Sequence, residues 1–215
     1  MTVRVKICGI NDPAAFDAAF AAGADWLGFV FFPRSPRYIT PGQAAILSAR
    51  AAGGPARVGL FVDPTDAAIE AALGAVRLDA LQLYVDAARA GEVRARFGVP
   101  VWRAVGVASP VDLPTDAEGI DRLVLEAKAP QTATRPGGNA MPFDWSLLRD
   151  WRPPVPWILA GGLDPANVAE AVRATGATAV DVSSGVESAP GVKDPRLIRS
   201  FVAAARHSTS APSTP

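Results

Sequence analysis

The chain has 215 residues, 49% of them apolar, with 21 basic and 21 acidic side chains. That length supports one sizeable core and a single domain, and the balanced charge excludes the broad basic field that nucleic acid or an anionic membrane surface would call for. One cysteine and one histidine exclude a disulfide framework, a multi-cysteine zinc site and a histidine-based triad, so proton transfer falls to carboxylates, Cys, Lys or Tyr.

Val3–Ile7 reads as a strand, and Asp12-Pro13 opens an alanine-rich helix to about Ala22, with Asp12 as N-cap and Pro13 at the first helical position. Trp26–Phe32 is a near-continuous apolar strand, followed by the loop Pro33-Arg-Ser-Pro-Arg37 and a helix from about Pro41 to Ala52. Arg57–Val62 is the third strand, Thr65 or Asp66 caps a helix to about Ala75, and Leu78–Leu83 is the fourth strand. A helix over Asp86–Phe97 leads to strands at Val99–Val105 and Asp121–Leu125. Ala127–Pro142 is a Pro/Gly/Thr-rich loop too long for a routine connection, hence a candidate lid or active-site wall. A short helix at Asp144–Asp150 precedes a strand at Val155–Ala160, a helix at Asp164–Thr175, a strand at Ala177–Val182 and a last helix at Asp194–Arg206. The polar tail from His207 to Pro215 is expected to be disordered.

Strands alternating with helices about eight times imply right-handed crossovers and a parallel sheet. The expected fold is α/β, a single (β/α)8 TIM barrel over residues 1–206; the alternative, a doubly wound open sheet, lacks a G-x-G-x-x-G after the first strand. No apolar run approaches the roughly 18 residues of a spanning helix, and Met1-Thr-Val-Arg-Val-Lys6 lacks the layout of a signal peptide, so a cytoplasmic setting with no membrane partner is expected. The oligomeric state stays open between monomer, the default, and homodimer.

In such a barrel the reactive side chains stand at the C-terminal strand ends. The polar residues there are Lys6, Cys8, Arg34, Arg37, Asp63, Gln82, Tyr84, Glu126, Lys128 and Asp181. Cys8 reads either as a small buried hydrophobe or as a reactive thiol whose pKa Lys6 could lower. Glu126 follows Leu123-Val-Leu125, where partial desolvation suits a general acid. Arg37, on the rigid Ser35-Pro36 loop, is either a surface charge or a bidentate clamp on a substrate carboxylate. Gly161-Gly162 and Ser183-Ser184-Gly185 end the seventh and eighth strands, where this architecture commonly binds phosphate.

With these residues in place the chain resembles the phosphoribosylanthranilate isomerase family of tryptophan biosynthesis. The resemblance runs through Lys6-Ile-Cys-Gly-Ile10, Gly28-Phe-Val-Phe31, Ser35-Pro-Arg37, Val58-Gly-Leu-Phe-Val-Asp63, Phe143-Asp-Trp145, Leu159-Ala-Gly-Gly-Leu163, Asp181-Val-Ser-Ser-Gly-Val-Glu187 and Pro190-Gly-Val-Lys-Asp194. It implies an Amadori rearrangement of a phosphorylated small-molecule substrate, with no metal or cofactor. It also implies Cys8 as general base, Arg37 facing the anthranilate end, and Gly161, Gly162, Ser183, Ser184 and Gly185 as the phosphate site, with Asp181 among the substrate-binding residues.

Three departures face the catalytic mouth. Glu126 stands where the family has its aspartate general acid, Gln82-Leu-Tyr84-Val85 where it reads Gln-Leu-His-Gly, and Gly137-Gly-Asn-Ala140 where it reads Gly-Gly-Thr/Ser-Gly. They leave two readings: a working isomerase with Glu126 as the acid, or a divergent paralogue that binds or isomerises another phosphorylated sugar derivative.

Overall fold

The computed structural model describes residues 2–117, 119–128 and 144–208. The expected loop 127–142 beyond Lys128, with Gly137-Gly-Asn-Ala140, lies outside the described residues, as does the tail from Thr209 onward.

Eight strands, β1 (Arg4–Cys8), β2 (Trp26–Val30), β3 (Ala56–Val62), β4 (Ala80–Tyr84), β5 (Val101–Val107), β6 (Arg122–Ala127), β7 (Trp157–Leu159) and β8 (Ala179–Val182), form a closed barrel in sequence order. All neighbours are parallel, and β1 against β8 closes the ring with Lys6 opposite Asp181. The helices are α1 (Pro13–Ala21), α2 (Pro41–Ser48), α3 (Asp66–Ala75), α4 (Ala87–Phe97), α5 (Val168–Thr175) and α6 (Pro195–His207). Among the described residues none is long and apolar enough to cross a membrane.

Strands buried on both faces explain the unbroken apolar runs: every residue of β2 and of β8 is buried. Outward side chains such as Phe29, Phe61 and Leu81 pack under the helices with Phe16, Ile69 and Phe201. Inward ones fill the barrel in layers. The lower layer contains Trp26, Val58, Trp102, Val124 and Ile158, with the two indoles edge-on at 5.3 Å and Arg4 and Arg122 lying over them. The upper layer holds Cys8, Val30 and Leu60 with Tyr84 against them, and forms the floor of the mouth.

Local chemistry starts the helices where the sequence places them. Asp12 accepts from Ala15 N at 2.9 Å, Thr40 and Gln43 form a capping box, and Thr65 and Asp86 cap α3 and α4. Each such cap contributes about 1 kcal/mol.

Several boundaries differ from expectation for identifiable reasons. The second helix ends at Ser48, short of Ala52, and Arg57 gathers the carbonyls left there, bonding Ser48 O, Ala51 O, Gly53 O and Pro55 O. β7 is only three residues, because Pro153, Pro154 and Pro156 bring no N–H to the ladder. The fifth helix starts at Val168, not Asp164, because Asp164 first closes a turn by accepting from Ala166 N and Asn167 N. The expected helix at 144–150 is a 3₁₀ turn at Trp145–Leu148. His207 belongs to α6 rather than to a tail, its Nδ1 lying 2.7 Å from Ala203 O. A hairpin of β9 (Glu187–Ala189) and β10 (Val192–Lys193) was not legible, its strands being three and two residues long with no apolar alternation.

Candidate active site

A cavity of about 670 Å³, counting its open mouth, lies at the C-terminal end of the barrel. That is room for a ligand of nucleotide-like size. Cys8, Arg37, Tyr84, Glu126, Asp181 and Ser183 are on its wall, together with the backbone of Gly161 and Gly162.

Alternation along β1 places Lys6 and Cys8 on the same inward face. Cys8 pairs in register with Gly28, and a Cβ there would lie 2.9 Å from Cys8 Sγ, 3.1 Å from Cys8 Cα and 3.3 Å from Lys6 Nζ. The glycine therefore makes the space that thiol and ammonium share. Lys6 is fully buried and donates to Asp181 Oδ1 at 3.0 Å. Burial depresses the ammonium's pKa, but the charge of Asp181 overcomes this and leaves it above its ordinary value. Burial pushes the Cys8 thiol up; Lys6 and Lys193 pull it down and Asp181 pushes it further up, for a net rise. The expected lowering by Lys6 is thus real in direction but outweighed by desolvation in the ligand-free protein.

Across the mouth, β6 carries Glu126, 5% exposed, and β4 carries Tyr84, hydrogen-bonded to it. Burial, then the negative charge of Glu126 when ionised, holds the phenol well above its ordinary pKa, so Tyr84 stays neutral beside the Glu126 carboxyl. Gln82, on the same strand, is 1% exposed, and its Oε1 has no hydrogen-bond partner among the described residues.

Arg37 is neither a surface charge nor an unengaged clamp. It is 4% exposed, and its guanidinium grips Glu187 bidentately, Nε to Oε1 at 2.7 Å and Nη2 to Oε2 at 2.8 Å. Lys193 donates to the same Glu187 Oε1 at 2.8 Å and to Ser183 O at 2.8 Å. Burial lowers the Lys193 pKa, while Glu187, despite its own burial, is held below the usual carboxylate range by Arg37 and Lys193. Two cations thus share one carboxylate beside the cavity. Glu187 and Lys193 were missed as functional residues, although both belong to the motifs that carried the resemblance. Gly9 and Gly191 have positive φ and lie against this group: a Cβ on Gly9 would meet Arg37 Cδ at 2.7 Å, and one on Gly191 would meet Pro36 O at 2.2 Å.

The two glycine loops follow β7 and β8. Gly161 and Gly162 have φ of +81° and +65°, a conformation that aims the chain into the cavity before Asp164 turns it toward α5. Ser183 and Ser184 complete the wall, with Ser183 Oγ donating to Cys8 O at 3.1 Å. Gly185, expected in the same role, is not on the cavity wall: it packs the two loops together, and a Cβ there would stand 1.9 Å from Leu163 O. The other strand-end charges lie elsewhere, Lys128 paired with Asp112 at 2.8 Å and Arg34 over the Phe32 ring.

In barrel order β7 and β8 lie between β6 and β1, so the glycine loops are flanked by the carboxyl of Glu126 on one side and the thiol of Cys8 on the other. Fold and mouth together define a (β/α)8 barrel with a cavity lined by buried titratable groups at the end where barrel enzymes carry their active sites. The profile of the N-(5'-phosphoribosyl)anthranilate (PRA) isomerase family matches residues 5–204. The N-(5'-phosphoribosyl)anthranilate isomerase of Acidiphilium cryptum is 60% identical over 205 residues, 94% of this chain and 98% of its own. That of Granulibacter bethesdensis is 55% identical over 208 residues, 96% of this chain and 100% of its own. Among solved structures, the phosphoribosyl anthranilate isomerase of Thermotoga maritima superposes with a TM-score of 0.81 at 36% identity, covering 94% of this chain and 98% of that one. Another, in complex with reduced 1-(o-carboxyphenylamino)-1-deoxyribulose 5-phosphate, gives 0.79 at 34% identity with the same coverage. The chain belongs to the N-(5'-phosphoribosyl)anthranilate isomerase family, isomerases of tryptophan biosynthesis.

Proposed function

We propose that this mouth converts N-(5'-phosphoribosyl)anthranilate to 1-(2-carboxyphenylamino)-1-deoxyribulose 5-phosphate, with Cys8 as general base and Glu126 as general acid. The observation that carries the reading is the flanking of two glycine loops by a buried thiol on β1 and a buried carboxyl on β6. A relative's complex with a reduced open-chain phosphate of the same framework supports the substrate class.

In this reading Glu126 gives its proton to the furanose ring oxygen as the C1–O bond breaks, leaving an open chain with an iminium at C1. The iminium draws electron density from C2, so the Cys8 thiolate can take the C2 proton. The resulting enolamine tautomerises to the ketone. One proton is delivered and one removed, as an isomerisation requires. Cys8 is a thiol in the ligand-free, desolvated site and gives its proton to solvent before it acts, an ionisation that the developing iminium favours electrostatically.

The remaining groups position the substrate. Gly161, Gly162, Ser183 and Ser184 hold the phosphate by backbone N–H and hydroxyl groups, which fixes the otherwise mobile open chain between base and acid. Gly185 contributes by holding the two loops together. Asp181 faces the sugar hydroxyls from its pairing with Lys6. Arg37, backed by Lys193 against the single carboxylate of Glu187, leaves a positive excess for the anthranilate carboxylate. A phosphate ester does not cross a bilayer unaided, so the reading places the enzyme in the cytoplasm with its substrate.

The test is a steady-state assay following loss of substrate fluorescence. Cys8→Ala and Glu126→Gln should each reduce kcat by about 10³-fold, within the usual range for loss of a general acid or base, while the reduced product analogue still binds within about threefold of wild type. An active Glu126→Gln enzyme would remove Glu126 from the role of acid.

A further inference from the structure

Lys6 is the most deeply buried charge among the described residues, at 0% exposure, and the proposed reaction gives it nothing to do. Stripping water from an ammonium costs several kcal/mol, and one carboxylate at 3.0 Å, Asp181, is enough to offset that charge. A barrel seam needs no such pair, since the β1–β8 ladder is already joined by backbone bonds on both sides of it. The geometry places a second group beside it. Lys6 and Cys8 are two residues apart on one strand face, and their side chains converge over Gly28, where a Cβ would lie 2.9 Å from Cys8 Sγ and 3.3 Å from Lys6 Nζ.

We propose that Lys6 is a positioning residue for the base: clamped by Asp181, its ammonium holds the Cys8 sulfur at the cavity wall and carries the counter-charge of the thiolate. The proposal rests on Cys8 being the base. Other charged or titratable groups face the sulfur from every side: Asp181 from β8, Lys193 from β10, Tyr84 from β4, Glu126 from β6 and Arg37 from the loop after β2. Of these neighbours Lys6 has the largest favourable effect on the thiolate, ahead of Lys193, and it shares with the sulfur the space left by Gly28. Asp181 acts in the opposite sense, so its contribution is to keep Lys6 in place and protonated.

Cys8 is the single cysteine of the chain, so the ultraviolet absorbance of thiolate in the full-length protein reports one group. In Lys6→Met the thiolate titration should move up by about one pH unit or more, a tenfold loss of thiolate at any pH below the midpoint. The low-pH limb of kcat/KM should move up with it, so that activity lost near neutrality returns at higher pH. A merely structural Lys6 would lower activity equally at all pH and leave the thiol where it was; that result overturns the proposal. Lys6→Met leaves Asp181 buried without its partner, and if it fails to fold, Lys6→Met/Asp181→Asn removes the pair whole. In that variant absorbance alone decides, because Asp181 also contacts substrate: an upward move of the thiol supports the proposal, and an unmoved one overturns it. Failure of the underlying reading looks different, since Cys8→Ala would then keep its turnover while the thiol of Lys6→Met still shifted.

Discussion

Gly28→Ala is the smallest change that disturbs Cys8 without altering any polar group. The added methyl would sit 2.9 Å from the sulfur and 3.1 Å from Cys8 Cα, where ordinary contact begins at 3.4 Å. The sulfur must therefore retreat by about 0.5 Å (3.4 − 2.9), and it cannot do so by rotation alone because the methyl also meets the backbone of β1. A misplacement of about 1 Å at a reacting atom costs on the order of 10²-fold, so half of it should lower kcat about tenfold. Overpacking of this kind should also cost about 1–3 kcal/mol of stability. The glycine loops follow β7 and β8, and no atom of theirs is among the nearest to the new methyl, so KM should change little. The assay pairs steady-state kinetics with urea unfolding. An unchanged kcat alongside the expected loss of stability would refute the claim that the thiol's position is set by its packing against Gly28.

Glu187→Gln removes the one carboxylate shared by Arg37 and Lys193, leaving two buried cations to face each other; unfolding stability should fall by about 3–5 kcal/mol, and a loss under 1 kcal/mol would show the pair to be inert. Because Glu187 titrates below its ordinary value when folded, its stabilisation is complete above the unfolded carboxylate value of about 4.3 and is lost as pH falls through the folded one. Acid unfolding of the wild type should therefore be steeper below that pH than that of Glu187→Gln, and coincident curves would contradict the assignment. Glu126→Asp withdraws the carboxyl by one methylene from Tyr84 and the ring oxygen; about a tenfold or greater drop in kcat is expected if the mouth is fitted to glutamate, and a gain would mark Glu126 as a tolerated defect.

Strand ends were the most legible part of this chain. Buried parallel strands read as apolar runs, so the polar residue that ends each run, Cys8 or Glu126 or Asp181, stands out without any tertiary information. What was not legible depends on partners far along the chain. Arg37 reads as a free clamp because the carboxylate that holds it lies 150 residues on, and Lys6 reads as a neighbour of Cys8 rather than as half of an ion pair with Asp181, 175 residues away. The packing of Gly185 was hidden for the same reason, since the carbonyl it lies against belongs to the preceding loop at Leu163. The late start of α5 had a local signal, Asp164 three residues before Asn167, which fits an Asx-type turn as well as a helix cap.

The closing of the ring between β1 and β8 has a consequence for synthesis on the ribosome. Cys8 and Lys6 emerge first, yet the Asp181 carboxylate, the Ser183 hydroxyl on Cys8 O and the Gly191 carbonyl on Asn11 all come from the last stretch of chain, at separations of 175, 175 and 180 residues. Until that stretch is released Lys6 has no buried partner and must remain hydrated, so the first strand cannot be sealed early. Contacts this distant make closure a slow, late event. A nascent chain cut short before β8 would carry the Cys8 thiol in water, unable to build the pocket that the finished chain closes around it.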